Sequence, residues 1–423
     1  MPSFAVTGGR YQKPVGAAGR PEISALIAHC SLLTNLHLAV NTRFLLPGDQ
    51  LEGIGRFSHE VLQRLVAQHP EVTFHFLFDR PFDPKYCYAA NVVPHVLPPP
   101  VRHPLLYLAW FEGAVALWLR RHRPAAFLSL DGLTTLATSV PRLTVLHDLA
   151  FHHHPQDVSW LQSRYYQYFI PRFVRACRQV ITVSEATRQD IIRTYGLRPE
   201  RVSVAYNAPS AVFQPLPPAP LALPAEQQAT RRQFAGGQPY FMFVGALQPR
   251  KNLANLLRAF ALFKQEQGAA ASGVQLLIVG REAWQTGPIF TAFQQMTHGR
   301  DAVRFTGRVT DTELAALYRA ALATVYVPYF EGFGLPIVEA QASGCPVLTA
   351  SVTSMPEVAG PGGAVLANPL LPADIAAGLR RIWQEPALRA ALQEHGAANL
   401  NRFSWARSAE AVWQAITLAL REE

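Results

Sequence analysis

Long apolar runs and clustered cysteines are both missing from this sequence of 423 residues. No stretch reaches the roughly 18 apolar residues of a membrane-spanning helix, so the sequence predicts none. The cysteines are far apart, lack the spacing of metal ligands and are typical of reduced thiols in a cytoplasmic protein rather than of a disulfide framework. There are four of them, at Cys30, Cys87, Cys177 and Cys345.

The N-terminus also lacks the pattern of a secretory signal. Several glycines dilute its first 20 residues, and His29 interrupts the short apolar run Ile23–Leu33. We therefore interpret residues 1–35 as an extension that precedes the first folded domain.

Charged residues are few, at 16%, but the net charge of +9 and the pI near 9.6 are strongly basic. Either a basic surface without a specific partner or attraction to anionic lipid or a phosphorylated acceptor explains this excess. No recognised nucleic-acid-binding module accompanies the charge, so we expect no nucleic-acid partner. Many of the arginines lie in the first half: Arg120, Arg121, Arg123, Arg164, Arg172, Arg175, Arg178, Arg188, Arg193, Arg198 and Arg201.

A chain of this length exceeds one compact core and predicts two domains. Short β-type runs alternate with helical ones, which is typical of parallel sheets covered by helices. In the first half the predicted strands are Leu36–Asn41, Val72–Phe78, Ala125–Ser129, Leu143–His147 and Val180–Val183. The predicted helices are Gly55–Gln68, Leu105–Arg121 and Glu185–Tyr195.

Six prolines between Pro209 and Pro224 then interrupt the alternation and favour extended chain, so this stretch predicts an interdomain linker. Beyond it the alternation resumes. The predicted strands are Phe241–Gly245, Leu276–Gly280, Val303–Phe305, Thr324–Pro328 and Val347–Thr349. The predicted helices are Leu253–Gln265, Asp311–Ala320, Pro336–Ser343 and Pro372–Trp383.

The sequence thus predicts an α/β fold with two doubly wound, Rossmann-like domains that face each other across a cleft. We expect a first domain over residues 36–208, a linker over 209–238 and a second domain over 239–402. Residues 403–423 are predicted to form a final helix, capped by Ser404, whose apolar face packs back on the first domain.

The segment Glu331–Glu339 carries the clearest chemical signal. Pro336 suits a first helical turn, and Gly332 and Gly334 allow a tight loop that approaches a ligand closely. Free N–H groups at a helix start attract a diphosphate. The two carboxylates, eight positions apart, would accept hydrogen bonds from hydroxyls on either side of it.

This segment resembles the Glu–seven-residue–Glu motif of retaining glycosyltransferases with the GT-B fold, which belong to glycosyltransferase family four and its relatives. The likeness continues through Ala340–Val347 and Met355–Val358 and covers the chain from Leu36 onward. It implies that Glu331 contacts the hydroxyls of the donor sugar and Glu339 the ribose. The donor-binding residues of this segment are then Glu331, Gly332, Phe333, Gly334, Leu335 and Glu339.

A second motif, Phe243–Asn252, leaves a strand and enters a helix. Adjacent cations there would neutralise a diphosphate as its bond to the sugar breaks. The family pattern has an arginine directly after Gly245 and a lysine five residues later. Lys251 matches the lysine, whereas Ala246 replaces the arginine. We expect Gly245, Arg250 and Lys251 to bind the donor, with Arg250 supplying the missing charge.

In the first domain, Gly53 and Gly55 lie in a loop after the first strand and before a helix. Simple turn chemistry would explain them, but the resemblance implies a glycine loop that approaches the diphosphate. His147 ends a predicted strand, and the matching histidine of the family lies near the reacting sugar carbon. The predicted catalytic residues are therefore His147, Arg250, Lys251 and Glu331.

Two further features receive a simpler interpretation. Neighbouring residues such as His152, His153 and His154 cannot all point at one ion, so we predict no metal site there. Ser184 precedes a predicted helix, and we interpret it as a helix cap.

The resemblance implies a metal-independent, cofactor-free transfer of a hexose with retention, by front-side attack. The likeness to mannosyltransferases favours GDP-mannose, with a UDP-sugar as the alternative. The expected acceptor is a saccharide or lipid-linked saccharide of cell-surface polysaccharide, used by a cytoplasmic protein in peripheral contact with the inner face of the plasma membrane. A nucleotide-sugar-binding relative without activity stays open. A dinucleotide-dependent oxidoreductase is disfavoured, because the three-glycine fingerprint is missing.

Overall fold

The computed structural model describes residues 36–48, 51–101, 103–215 and 224–421. The predicted extension over residues 1–35 lies outside them. The described chain forms two α/β units, each with one fully parallel sheet covered by helices. Because helices cover both faces of such sheets, their central strands are apolar on both sides, as in the wholly buried Tyr240–Val244.

The first sheet has the strand order β3-β2-β1-β4-β5-β6-β7. Its strands are β1 (His37–Asn41), β2 (Thr73–Phe78), β3 (Val92–Val96), β4 (Ala126–Ser129), β5 (Arg142–Val145), β6 (Gln179–Thr182) and β7 (Val202–Val204). The second sheet has the order β10-β9-β8-β11-β12-β13. Its strands are β8 (Tyr240–Val244), β9 (Gln275–Val279), β10 (Val303–Gly307), β11 (Ala323–Tyr326), β12 (Val347–Ala350) and β13 (Val365–Ala367).

The helices of the first unit lie between its strands. They are α1 (Gly53–Gln68), α2 (Pro104–Leu108), α3 (Ala116–His122), α4 (Ala150–His153), α5 (Trp160–Ala176) and α6 (Glu185–Tyr195), and a π-helical stretch over Ala109–Val115 joins α2 to α3. Those of the second unit are α7 (Ala225–Ala235), α8 (Leu253–Gln267), α9 (Gly287–Gln294), α10 (Asp311–Ala320), α11 (Leu335–Ala342), α12 (Met355–Ala359), α13 (Pro372–Gln384) and α14 (Pro386–Asn399), and the chain ends in α15 (Trp405–Arg421).

The two doubly wound sheets of the prediction are confirmed, but three edge strands, β3, β7 and β13, were not predicted from the sequence. Strands β7 and β13 have only three residues each, and β3 contains Pro94 and is half exposed. Proline is tolerated at a sheet edge, where one side of the strand needs no partner. The prediction also carried β5 on to His147, whereas the strand ends at Val145.

The predicted linker over residues 209–238 contains a helix that was not predicted from the sequence, α7 over Ala225–Ala235. The prolines of that range end at Pro224, which serves as the residue before the helix and leaves its interior free of proline. Gly236 then closes the helix with a left-handed conformation (φ 61°). Helix α7 packs on α10, so this part of the chain belongs to the second α/β unit.

The final helix α15 packs against α1 and the first sheet. The Trp413 ring stacks on His69 with 3.5 Å between ring centroids, and the Arg178 guanidinium donates to the carbonyl of Ala419 over 2.7 Å. The apolar stripe predicted for this segment is buried in that contact. A helix that follows the second unit thus completes the core of the first.

No helix in the described ranges is long and apolar enough to cross a bilayer.

Candidate active site

The order of the second sheet reverses between the adjacent strands β8 and β11. Lys251 follows β8, and Glu331 follows β11. A crevice forms outside the carboxyl ends of the strands at such a reversal, and ligands of open α/β sheets bind there. Residues that are 80 positions apart in sequence therefore meet at one point.

The Glu331 carboxylate receives three hydrogen bonds at this point. Arg250 Nη1 donates over 2.6 Å, Lys251 Nζ over 2.5 Å and the Tyr326 hydroxyl over 2.9 Å, all to Oε2. Lys251 also donates to the Tyr326 oxygen. All these groups are largely buried, so the site is a compact charged cluster at the edge of the sheet.

Burial opposes the charge of Glu331, but Arg250 and Lys251 outweigh it and lower the pKa of the carboxyl to about 2. For Lys251 the net effect is to disfavour the charged form. Burial and the neighbouring Arg250 lower its pKa to about 8, although Glu331 acts against both. Two cations thus lie beside one carboxylate, and Asp148 of the first unit lies 3.8 Å from Arg250.

Gly332, the next residue, is wedged against the first unit. Its carbonyl accepts hydrogen bonds from the hydroxyls of Ser184 (2.6 Å) and Thr187 (3.2 Å). A Cβ added to Gly332 would lie 1.9 Å from the carbonyl oxygen of His147, far inside contact distance. Only glycine permits this approach, and it places His147 of one unit beside the Glu331 loop of the other.

Gly334 and Leu335 begin helix α11. Gly334 precedes the helix with φ 95°, a conformation that favours glycine. Leu335 is its first residue, and Pro336 the second. The Phe333 side chain, by contrast, packs near Tyr206 and Phe403 in the core, so only the backbone of Phe333 is left to meet a ligand.

Glu339 lies one turn inside α11 and is buried. The Tyr318 hydroxyl donates to it over 3.2 Å. Burial raises the pKa of the carboxyl to about 7, although the charge of Arg56 from the first unit opposes this rise. Arg56 is itself bound to Asp311, over 2.8 and 3.0 Å. Near pH 7 the carboxyl of Glu339 is therefore divided between its charged and neutral forms, and Arg56 of the opposite unit lies nearby.

His147 is half buried behind the Gly332 contact. Its Nε2 lies 2.9 Å from the carbonyl of Leu130 and must carry the proton, since a carbonyl only accepts. Burial lowers the pKa of the ring, and Phe57 packs edge-on against it. The neutral ring then keeps Nδ1 free of a proton, so Nδ1 is the atom that can accept a hydrogen bond.

The three remaining predicted glycines differ in their surroundings. Gly55 is buried, and a Cβ there would lie 2.8 Å from the carbonyl of Phe44, so the loop needs glycine for its own packing. Gly53 is exposed, with open space around it. Gly245 has φ 148°, and an added Cβ would lie 3.9 Å from the side chain of Lys251. Gly245 therefore lies next to the cation cluster.

Four contacting residues were given no site role in the sequence-based prediction: Tyr326, Arg56, Asp311 and Glu357. Tyr326 ends β11, and the sequence does not distinguish it from an ordinary aromatic residue of a strand. Glu357 lies in the quoted motif Met355–Val358, and its carboxylate accepts the backbone N–H groups of Glu185 and Ala186, both over 2.8 Å. The motif could have indicated a role for Glu357, but the residue that it binds, Glu185, lies 172 positions away in the sequence.

Ser184 caps α6 as predicted, since its hydroxyl accepts the N–H of Thr187 over 3.1 Å. The neighbouring histidines have different polar and aromatic partners: His153 binds Asp190 over 2.9 Å, and His154 packs on Tyr329. No cluster of three or more His, Cys, Asp or Glu side chains that could hold a metal ion occurs in the described ranges.

The fold and the site define a class: two doubly wound domains with a charged cluster at the facing carboxyl edges. Residues 225–398 match the family model described as glycosyl transferases group 1, and residues 51–208 match that of glycosyltransferase family 4. Together the two models span well over half of the chain, which therefore belongs to these glycosyltransferase families and has their two-domain GT-B fold.

Among curated proteins, the chain is similar to O-antigen chain mannosyltransferase B of Escherichia coli (32% identity; 62% of this chain and 66% of that protein). It is also similar to O-antigen chain mannosyltransferase RfbU of Salmonella typhimurium (26%; 67% and 74%) and to a D-inositol 3-phosphate glycosyltransferase of Streptomyces bingchenggensis (30%; 59% and 55%). The aligned segment thus spans about two thirds of the length of the first relative and about half of the third.

Solved structures with the same fold include sucrose-phosphate synthase from Thermosynechococcus elongatus, at a TM-score of 0.70 and 20% identity over 90% of this chain and 98% of that one. WaaG, a glycosyltransferase involved in lipopolysaccharide biosynthesis, has a TM-score of 0.67 and 17% identity, with coverage of 90% and 99%. Anabaena Alr3699/HepE, in complex with UDP and glucose, has 0.66 and 17%, also with coverage of 90% and 99%. At these identities the likeness establishes the fold.

Proposed function

We propose that this protein transfers a hexose from a nucleoside-diphosphate sugar to a hydroxyl of a saccharide in cell-surface polysaccharide synthesis. The observation that carries the proposal is the cluster at Glu331, where Arg250, Lys251 and Tyr326 converge on one buried carboxylate. Its position at the reversal of the sheet, facing His147 and Asp148, is where a donor bound between the domains would react.

In the proposed reaction the bond between the sugar carbon and the diphosphate breaks, and the acceptor oxygen bonds to that carbon from the same face. The acceptor proton passes to a phosphate oxygen of the donor, so no protein base is needed. Arg250 and Lys251 stabilise the charge that develops on the leaving diphosphate. Glu331 then exchanges its present partners for hydroxyls of the sugar, and His147 accepts a hydroxyl hydrogen bond at Nδ1.

The two cations also bear on whether the reaction needs a metal ion or a cofactor. A pair of fixed positive charges supplies at the leaving group what a divalent ion would supply in a metal-dependent transferase. We therefore propose a metal-independent, cofactor-free reaction in which the nucleotide sugar is the substrate. Glu339, next to Arg56, would hold the ribose.

The proposed donor is GDP-mannose, because the O-antigen relatives are named mannosyltransferases. A UDP-sugar is the alternative, supported by the UDP complex of the structural neighbour Alr3699/HepE. The proposed acceptor is a saccharide or lipid-linked saccharide, and the basic charge supports a peripheral place at an anionic membrane.

A thermal-shift screen of the full chain against UDP, GDP and ADP, each with its sugar, tests donor binding. A ligand that binds only the folded protein raises its melting temperature. GDP and GDP-mannose should give the largest rise. A larger rise with UDP ligands would transfer the proposal to the alternative donor, and no rise with any of them would contradict nucleotide-sugar binding.

Transfer itself is tested by mass spectrometry of a saccharide panel incubated with the preferred donor. The Glu331→Ala and Lys251→Ala variants should each lose roughly 100-fold or more of the rate, in line with the loss of a group that stabilises developing charge. Circular dichroism checks that both variants stay folded. Donor binding with neither transfer nor hydrolysis in the unmodified chain would instead identify a binding protein.

A further inference from the structure

Helix α5 carries a surface that the donor site does not use. On its solvent side lie Trp160, Arg164, Tyr168, Arg172 and Arg175, at spacings of three and four that place them on one face. Trp160 is 75% exposed and Tyr168 54%, although both are large apolar side chains. We call these five residues the arginine-aromatic face.

The opposite side of α5 is firmly held in the first unit. Ser163, Tyr165, Ile170, Phe173 and Val174 are buried against its core. The exposed aromatic residues therefore belong to a fixed helix with an ordinary packed side, and their exposure is not a consequence of loose packing. A face of this kind offers a preformed surface for a partner.

The charge of this face has one sign. The helix contains no Asp or Glu, and within the described ranges none of its three exposed arginines forms an ion pair. Arg172 instead stacks on the ring of Tyr168, 3.6 Å from its centroid. Positive charge and aromatic surface thus alternate along the helix.

A groove of about 530 Å³ runs beside the arginine-aromatic face. Its lining is mainly apolar, with Leu108, Leu161 and Phe169, while Arg164 and Tyr168 form part of its wall. A partner with negatively charged groups at its surface and an apolar layer directly beneath them fits this arrangement. A purely polar anion, such as a nucleic-acid backbone, would leave the apolar lining without a contact.

We propose that the arginine-aromatic face docks the protein on a membrane that contains anionic lipid. The arginines meet the lipid phosphates, and Trp160 and Tyr168 lie at the level of the headgroups, where aromatic side chains with a polar end are stable. The groove accommodates apolar lipid surface. The inference rests on the peripheral membrane contact of the proposed function and assigns that contact to one surface. It is separate from donor binding and holds whichever sugar is transferred.

Cosedimentation of the full chain with vesicles tests this inference. Vesicles of phosphatidylcholine mixed with phosphatidylglycerol should bind the protein, and phosphatidylcholine alone should bind it far more weakly. Changing Arg164, Arg172 and Arg175 together to Gln should weaken binding on the order of 100-fold, since each surface cation contributes about fivefold near an anionic membrane. Trp160→Ala should weaken it by roughly tenfold through the lost apolar contact.

The matched control removes three exposed arginines from the second unit, as Arg232→Gln, Arg258→Gln and Arg300→Gln. It has the same net charge as the α5 triple variant and should bind vesicles nearly as the unmodified chain does. Equal weakening in both triple variants, or unchanged binding in the α5 variant, would overturn the proposal. Transfer to a water-soluble saccharide without vesicles should be the same in both, which separates this result from a failure of the proposed function.

Discussion

Glu331 has more cationic neighbours than its own charge requires. Arg250 and Lys251 both donate to the same oxygen, and together they hold the pKa of the carboxyl near 2. Glu331 neutralises one of the two cations, and Asp148 offsets the other only through a longer ion pair, 3.8 Å from Arg250. A diphosphate that displaces this longer pair would gain both cations as partners, which is why the cluster favours an anionic ligand.

Arg250 should take the place of the arginine that Ala246 replaces in the family pattern. Arg250→Ala is expected to lower the transfer rate about 100-fold, because the leaving diphosphate loses one of its two cations. The double variant Ala246→Arg with Arg250→Ala should recover part of the loss. Steady-state rates with the preferred donor measure both effects.

The control for that pair is Ala246→Arg alone, which should stay active. If the double variant were no better than Arg250→Ala while Ala246→Arg was active, the two positions would not be equivalent. Arg250 would then act mainly through its bond to Glu331.

Binding of a nucleoside diphosphate above pH 8 should take up a proton at Lys251. Its pKa is lowered to about 8 in the free protein, and the nearby negative charge of a diphosphate raises it again. In the window from pH 8 to 9 the free protein therefore holds fewer protons than the complex, and affinity falls as the pH rises. Calorimetry in two buffers of different ionisation enthalpy should report an uptake approaching about one proton.

Lys251→Arg provides the comparison, because a guanidinium stays charged across that window. Its complex should form with little proton uptake. An uptake equal to that of the unmodified chain would assign the proton to another group.

At the scale of elements, helix α6 begins at the boundary between the two units. Its first free N–H groups, at Glu185 and Ala186, donate to the carboxylate of Glu357 from the second unit. A carboxylate at a helix N-terminus is also favoured by the helix dipole. The start of α12 and the start of α6 are thereby joined across the boundary.

Glu357→Gln should weaken the hydrogen bonds that connect the start of α6 to the second unit. The carboxylate accepts one N–H on each oxygen, whereas a Gln amide has only one acceptor oxygen and turns its own NH₂ toward the second donor. The expected loss is about 1.5–3 kcal/mol of the free energy of unfolding. Urea denaturation, followed by far-ultraviolet circular dichroism, measures it.

Glu394→Gln makes the same change of charge on the exposed surface of α14 and should alter stability by less than about 0.5 kcal/mol. Similar midpoints for both variants would show that the bonds from Glu357 to α6 contribute nothing measurable.

At the scale of the whole molecule, the two units are in close contact along the cleft. Asp157 accepts a hydrogen bond from Tyr329 over 2.6 Å on its carboxylate and one from Trp284 over 2.7 Å on its backbone carbonyl. Arg281 binds Glu52 over 2.7 Å. A donor must enter between these contacts, so we expect the units to separate and close again during each cycle.

Gly332→Ala should prevent full closure. Its Cβ would meet the carbonyl oxygen of His147 at 1.9 Å, a clash with the other unit rather than with its own. Each unit should keep its fold, while small-angle scattering reports a larger radius of gyration. Transfer should fall about 100-fold or more, because misplacement by about 1 Å already costs that much in an oriented site.

Gly287→Ala serves as the control, since an added Cβ there meets nothing within 4 Å. It should leave both the scattering curve and the rate unchanged. A Gly332→Ala protein as compact as the unmodified chain would mean that the contact yields without separating the units.

Much of the fold was readable from the sequence because central parallel strands are buried on both faces. Strand β8 and, after its first residue Gln275, strand β9 are continuous apolar runs, and the prediction found them. The short edge strands β7 and β13 lack that pattern. Helix α7 escaped notice since it follows a proline-rich stretch and has few buried residues.

The candidate site, like the fold, could be predicted from the sequence only in part. The sequence by itself determined the loops that carry Glu331 and Lys251, because each lies between a buried strand and a helix start, and local chemistry dictates both. Only the tertiary structure decided how these groups meet. The strand order makes β8 and β11 neighbours, brings Tyr326 and Arg250 to the same oxygen and seats Gly332 on His147. Such contacts join residues up to 185 positions apart, and they depend on packing across two domains rather than on any local pattern.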